Sequence, residues 1–79
     1  MQPHEVKALI EQQLPVAQAE VEGEGCNFQL NIISDELAKL SPVKRQQQIY
    51  ALLNQQIADG SIHAITMKFF TREAWASRP

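Results

Sequence analysis

Two short segments of alternating apolar and polar residues flank a loop that holds two glycines. Residues 16–22 place alanine or valine on one side and glutamine or glutamate on the other, and residues 28–33 repeat the alternation. A period of two is typical of strands that bury one face. In the loop 23–27 the glycines adopt positive φ values without steric cost. The pattern predicts an antiparallel β-hairpin.

Helical periodicity precedes and follows this hairpin. Residues 3–14 carry apolar side chains at helical spacing, with Pro3 at the first helical position and Pro15 after the last. Ser41 followed by Pro42 combines a serine cap with proline at the first helical position. A second, longer helix is therefore predicted from Ser41 to about residue 58. The residues expected to share its buried face are Ile49, Leu53 and Ile57.

The remaining segments complete the predicted order. Residues 34–40 indicate a short helix or turn that begins at Ser34 or Asp35. Residues 62–70 alternate again and predict a third strand, followed by a short helix capped by Thr71. The residues expected on one face of this strand are His63, Ile65, Met67 and Phe69.

The order α-β-β-α-α-β-α predicts an α+β two-layer sandwich. Because helices separate the second and third strands, those strands can run parallel through a right-handed crossover. The product is a three-stranded mixed sheet with helices on one face, in a single domain over residues 1–79. The order resembles the type II KH arrangement, whose nucleotide clamp is a GXXG turn. The equivalent turn here, residues 40–43, has no glycine, so that clamp is missing.

Composition narrows the class of protein. The chain of 79 residues has a net charge of −2 and one cysteine, which excludes an intrachain disulfide and a four-cysteine zinc site. No apolar run reaches the roughly 18 residues of a membrane span, and the first residues do not resemble a signal peptide. We therefore expect a soluble cytoplasmic protein with one reduced thiol and no membrane contact.

Charge is distributed unevenly along the chain. Residues 1–36 hold one lysine against seven carboxylates, whereas residues 37–79 hold six cations against two carboxylates. The acidic overall balance disfavours a dedicated nucleic-acid binder. Lys44, Arg45 and Lys68 are nevertheless candidates for contact with phosphates or a partner, and solvated faces are the alternative interpretation.

Catalytic motifs are missing from the sequence. It has no Walker loop, no dinucleotide fingerprint and no HExxH motif, and its carboxylates suggest an exposed strand face and helix starts. The chain offers one cysteine and two histidines, and its sequence shows no constellation of nucleophile, base and orienting group. We expect a protein that is not an enzyme.

Cys26 and His63 form the sharpest candidate site. If the third strand is parallel to the second, the loop before one and the start of the other lie at the same end of the sheet. Two ligands supply half of a four-coordinate site, and a partner chain can supply the rest. The alternatives are a packed histidine and an incidental loop cysteine.

Three segments together resemble the BolA family, most closely its acid-stress-induced, IbaG-like bacterial branch. The resemblance spans nearly the whole chain. Its segments are Gly23-Glu24-Gly25-Cys26-Asn27-Phe28, residues 43–53 (VKRQQQIYALL), and residues 62–68 (IHAITMK) followed by Thr71, Glu73 and Trp75.

The resemblance implies a partnership with a monothiol glutaredoxin. In that family the heterodimer holds a [2Fe–2S] cluster through the glutaredoxin cysteine, glutathione and residues of the BolA-like protein. The family's hallmark histidine falls on His63. Asn27 stands where relatives often carry a second histidine ligand, with Cys26 beside it, and Lys39 stands where they often have glycine.

Three further expectations follow from the resemblance. The isolated chain is expected to carry no cofactor. A weak homodimer is an alternative state of the free chain. Some relatives are described as transcriptional regulators, so a DNA-binding regulator that uses residues 41–48 is the alternative function.

Overall fold

The computed structural model describes residues 1–79. Five helices and three strands follow one another along the chain. Their bounds are α1 (Pro3–Gln13), β1 (Gln18–Glu24), β2 (Asn27–Ile33), α2 (Asp35–Ala38), α3 (Pro42–Leu52), α4 (Asn54–Ala58), β3 (Ala64–Phe70) and α5 (Arg72–Ala76).

The three strands form one mixed sheet in the order β1-β2-β3. β1 pairs with β2 in antiparallel fashion, and β2 pairs with β3 in parallel. The parallel register runs from Asn27 opposite Ala64 to Ile33 opposite Phe70. The predicted α+β architecture with a mixed three-stranded sheet is confirmed.

The hydrophobic core lies between the sheet and the helices. Val6 and Ile10 of α1 are fully buried, as are Ile49 of α3 and Leu53 just after it. Each large apolar side chain buried in this way stabilises the fold by roughly 1.5–3 kcal/mol. The core residues of the sheet are Ala19, Phe28, Leu30 and Ile32.

The hairpin turn is shorter than the sequence predicted. Both strands extend into the expected loop, so that only Gly25 and Cys26 lie between Glu24 and Asn27. Gly25 has a φ of +63°, which suits the first central position of a two-residue hairpin turn. At Gly23 a Cβ atom would lie 2.1 Å from the carbonyl oxygen of Asn27, so the strands approach more closely than any side chain allows.

The predicted long helix is interrupted at Leu53. This residue has φ −104° and ψ 9°, and its amide donates to the carbonyl oxygens of both Ile49 and Tyr50 at 3.2 Å. The break turns α4 out of phase with α3. Ile57 is therefore 38% exposed, and its expected place on the buried face is wrong.

The third strand begins two residues later than predicted. The amide of Ile62 donates to the carbonyl oxygen of Gln56 in α4, so Ile62 belongs to the connection and is buried there. His63 also precedes the ladder, which starts at Ala64. The predicted alternation holds from Ile65 onward but does not extend back to His63.

Side-chain caps begin three of the helices. Ser34 Oγ accepts from the amide of Leu37 at 3.2 Å, which decides between the two predicted caps of α2. Ser41 Oγ caps α3 and Thr71 Oγ1 caps α5, as predicted. A cap of this kind contributes typically about 1 kcal/mol.

The sheet face opposite the main core is covered at one end. Ile33 is 2% exposed yet lies outside the main core cluster. Its neighbour in register, Phe70, contacts Trp75 of α5 edge-to-face at 5.1 Å between ring centroids. Apart from Ala64, the rest of this face is polar. None of the helices combines the length and the apolar character that a membrane crossing requires.

Candidate functional site at the hairpin end of the sheet

The hairpin turn and the start of β3 meet at one end of the sheet. The amide of His63 donates to the carbonyl oxygen of Cys26 over 2.7 Å, and the amide of Ala64 donates to the same oxygen over 3.3 Å. Parallel pairing produces this contact because Cys26 directly precedes β2 and His63 directly precedes β3. The expected convergence of the two positions is observed in the backbone, and their role as ligands stays a prediction.

Both side chains are accessible. Cys26 is exposed in the turn, and His63 is exposed although the preceding residue, Ile62, is buried. The interpretation of His63 as a packed histidine is therefore wrong. His63 does not continue the alternation that covers Ile65, because His63 precedes the first paired residue of β3, Ala64. A thiol and an imidazole on the surface can reach a second protein without any opening of the core.

The hairpin end of the sheet has fewer candidate ligands than a closed metal site requires. No group of three His, Cys, Asp or Glu side chains comes together anywhere in the chain. The interpretation of Cys26 and His63 as half of a ligand set stays a prediction. Tetrahedral iron or zinc needs two further donors from outside the chain.

A shallow recess lies beside these residues on the polar face of the sheet. It has a volume of about 390 Å³. Its lining includes Glu22, Asn27, Gln29 and Thr66, which the register places side by side across the three strands. Sequence reasoning missed it, although the polar members of each alternating strand were the available signal.

The three basic candidates lie in different surroundings. Lys44 is exposed in the first turn of α3, and Lys68 is exposed on the polar side of β3. Arg45 is half-buried: its guanidinium lies 5.2 Å from the centroid of Phe69, and its Nη1 donates to the carbonyl oxygen of Ala38 at 3.5 Å. Arg45 thus joins α3 to β3, a structural role that the sequence did not indicate.

At the opposite edge of the sheet, α1 contacts β1 through two charged side chains. Glu11 Oε2 accepts from the amide of Ala19 at 3.0 Å, while Lys7 Nζ donates to the carbonyl oxygen of Ala19 at 2.6 Å. Lys7 also pairs with Glu11 at 3.0 Å and Glu20 at 3.3 Å. We call Lys7, Glu11 and the backbone of Ala19 the clasp.

The clasp shifts the pKa values of its two charged groups. The backbone hydrogen bond from Ala19, followed by Lys7, holds the pKa of Glu11 below its ordinary value of 4.5. The hydrogen bond to Glu11, more than that to Glu20, raises the pKa of Lys7 above 10.5. Both shifts stabilise the charged forms.

Comparison with known proteins decides the family. The model of the BolA family, described as BolA-like protein, matches residues 2–74. The chain belongs to the BolA family. Among the solved structures, a BolA homologue from Coxiella burnetii superposes on this BolA chain with a TM-score of 0.80 at 22% identity, covering 96% of this chain and 97% of the other. That likeness supports the fold.

Two curated BolA relatives have names that bear on function. The acid stress protein IbaG of Escherichia coli is 33% identical over 76 residues, which cover 96% of this chain and 90% of that protein. The DNA-binding transcriptional regulator BolA of Haemophilus influenzae is 36% identical over 56 residues, which cover 71% of this chain and 53% of that protein. The BolA resemblance inferred from the sequence is confirmed, and so is its likeness to IbaG.

Proposed function

We propose that this BolA-family chain is a non-enzymatic partner of a monothiol glutaredoxin. In this proposal the two proteins and glutathione hold a [2Fe–2S] cluster together, in cluster trafficking, maturation or sensing during acid stress. The observation that carries the proposal is the 2.7 Å hydrogen bond from the amide of His63 to the carbonyl oxygen of Cys26. It joins the backbone of the only cysteine of the chain to the backbone of one of its two histidines.

The chemistry of the two donors fits the cluster. Thiolate is the usual ligand of iron–sulphur clusters, and imidazole replaces it on one iron in mixed centres. Two donors from this chain leave the remaining positions for the partner's cysteine and glutathione. When bound, the cluster supplies electron-transfer or cluster-transfer chemistry.

The protein's own part in the proposal is to position donors at an exposed end. The carbonyl oxygen of Cys26 accepts two amide hydrogen bonds, which tie the turn to the start of β3. Burial of Ile62 anchors the connection on the other side of His63. The two side chains remain in solvent, where a partner can reach them.

The test is anaerobic co-purification of the chain with a monothiol glutaredoxin, iron, sulphide and glutathione. Visible absorption and circular dichroism of the complex are then compared for wild type, His63→Ala and Cys26→Ser. His4→Ala is the matched control because His4 is the other histidine of the chain and is exposed in the first turn of α1. We expect His63→Ala to change the spectrum and His4→Ala to leave it unchanged.

Each outcome decides one element of the proposal. Identical spectra for wild type and His63→Ala remove His63 as a ligand. A spectrum that changes with His63→Ala but not with Cys26→Ser assigns the cluster to the histidine alone. No chromophore in the presence of the glutaredoxin contradicts the partnership itself.

A DNA-binding regulator is the second candidate, favoured by the name of the Haemophilus influenzae relative. The exposed Lys44 at the start of α3 is the residue available for phosphate contact. This function predicts that affinity for duplex DNA falls steeply with salt and weakens on Lys44→Ala. Arg45→Ala is a poor probe because Arg45 packs on Phe69. Binding that does not depend on salt contradicts this function.

A further inference from the structure

The two outer edges of the sheet differ in how their backbone groups are satisfied. β1 and β3 are both edge strands because the order is β1-β2-β3. Unpaired edge strands accept further strands unless side chains or bulges block them. On β1 the clasp supplies partners for both the amide and the carbonyl oxygen of Ala19, as an added strand would.

The outward backbone groups of β3 have no such partners. The amide of Ala64 donates to the carbonyl oxygen of Cys26, just before β2, and the carbonyl oxygen of Phe70 accepts from the amide of Ser34, just after it. The backbone N–H and C=O groups of the even-numbered residues of β3 therefore point toward β2. Because these groups alternate along a strand, those of Ile65, Met67 and Phe69 point away from β2. No side chain of the protein hydrogen-bonds to these outward groups. We call the outward backbone of these three residues the free edge.

Charge at the free edge favours an acidic occupant. β3 carries Lys68 and no carboxylate, and the guanidinium of Arg45 lies over Phe69. In contrast, β1 carries three glutamates, at positions 20, 22 and 24. A lysine on an edge strand discourages pairing with a like-charged strand and favours an oppositely charged one.

A second copy of the chain fits this edge less well. Pairing of two β3 strands brings Lys68 and Arg45 of both copies to one seam, where like charges repel. Pairing of β3 with β1 of another copy matches charges, but the clasp already occupies the outward groups of Ala19. An acidic extended segment from a different protein meets neither obstacle.

We propose that the free edge of β3 binds an extended acidic segment of a partner protein as a fourth strand. Main-chain hydrogen bonds to Ile65, Met67 and Phe69 supply the attachment, and Lys68 with Arg45 selects acidic sequences. This docking requires no metal and uses neither thiol nor imidazole. Its failure leaves the proposed cluster function untouched, and the reverse also holds.

The probe is a short capped peptide in which valine and glutamate alternate over the length of β3. Amide NMR spectra of the full chain are recorded as the peptide is added to millimolar concentration. We expect the amides of Ile65, Met67 and Phe69 to shift and to exchange more slowly with solvent, with no comparable change in β1. A peptide in which lysine replaces glutamate is the charge control and is expected to bind more weakly.

Two matched variants test the role of charge. Lys68→Glu reverses an exposed charge on β3, and we expect it to weaken binding of the acidic peptide about fivefold, the scale of one exposed ion pair turned repulsive. Lys44→Glu makes the same change on α3 and is expected to have a much smaller effect. Unchanged α-helical and core amide signals verify that both variants fold.

Four results overturn the proposal. The first is that neither peptide shifts the amides of the free edge. The second is equal binding of the acidic and basic peptides. The third is a shift of the same amides with protein concentration alone, which makes a second copy the occupant. The fourth is that duplex DNA shifts these amides while the acidic peptide does not.

Discussion

The carboxylate of Glu11 accepts a hydrogen bond from the amide of Ala19 over 3.0 Å, so a helix side chain pairs with the outer edge of a strand. Lys7 completes the arrangement by donating to the carbonyl oxygen of the same residue. The amide and the carbonyl oxygen that an incoming strand would use are thereby occupied. The clasp fixes α1 to β1 and caps that edge at Ala19, whereas no side chain caps the outward groups of β3.

Removal of the clasp carboxylate is expected to destabilise the fold modestly. Glu11→Ala leaves the amide of Ala19 without its partner and Lys7 without its nearest counter-charge. Because both side chains are about one-third exposed, solvent screens the loss, and we expect about 1 kcal/mol. Thermal unfolding measures this as a fall in Tm of roughly 4–8 °C. Glu22→Ala is the control, because Glu22 is exposed on the same strand as Ala19, and it is expected to leave Tm nearly unchanged. An equal fall of Tm in both variants contradicts the role of the clasp.

The stabilising effect of the clasp is expected to depend on pH. The backbone hydrogen bond from Ala19 lowers the pKa of Glu11, so its contribution is present above the ordinary value of 4.5 and disappears as pH falls through the lowered pKa. Hydrogen bonding to Glu11 raises the pKa of Lys7, so its contribution is present below 10.5 and disappears as pH rises through the raised pKa. Urea unfolding of wild type and Glu11→Gln at several pH values tests the acid limb. The difference in unfolding free energy should shrink in acid, and a difference that stays constant there refutes the assignment.

Gly23 is expected to tolerate no side chain. An added Cβ would lie 2.1 Å from the carbonyl oxygen of Asn27 and 2.9 Å from the Cα of Phe28, both of which are backbone atoms. Backbone strain and displacement of the strand pair together predict a loss of at least about 2 kcal/mol for Gly23→Ala. Gly25→Ala is the matched control, because no atom lies within 4 Å of its Cβ position and only the φ of +63° opposes the substitution. Urea unfolding should rank Gly23→Ala clearly below Gly25→Ala, for which about 1 kcal/mol is expected.

Alanine substitutions of Arg45 and Lys44 are expected to differ in their effect on the free energy of unfolding. Arg45→Ala removes the guanidinium from the face of Phe69 and should lower the free energy of unfolding by about 0.5–1 kcal/mol. Lys44→Ala removes an exposed side chain and should change it by less than about 0.5 kcal/mol. Chemical denaturation of both variants is the measurement. Equal stabilities would mean that the contact between Arg45 and Phe69 contributes nothing.

Local patterns in the sequence determined most of the elements and their order. Residues 28–33 alternate, and Ser41 and Thr71 precede helical segments, so strand and cap follow from short-range chemistry. Interposed helices require a crossover, which made the parallel pairing of β2 with β3 predictable. Because parallel strands begin at the same end of a sheet, the positions of Cys26 and His63 at one end follow from the same pattern.

Boundaries and contacts between elements depended on packing that no local pattern encodes. Leu53 is fully buried and leaves helical geometry at φ −104° and ψ 9°, so α4 takes a new direction and Ile57 faces solvent. His63 is exposed because Ile62 is tied to α4 and the ladder starts only at Ala64.

The clasp on Ala19 and the packing of Arg45 on Phe69 join residues from separate elements, and only the folded chain brings them together. The sequence by itself determined which strands exist and which ends they share. The tertiary structure decided where an edge strand is capped, because the cap on Ala19 depends on side chains that reach across from another layer.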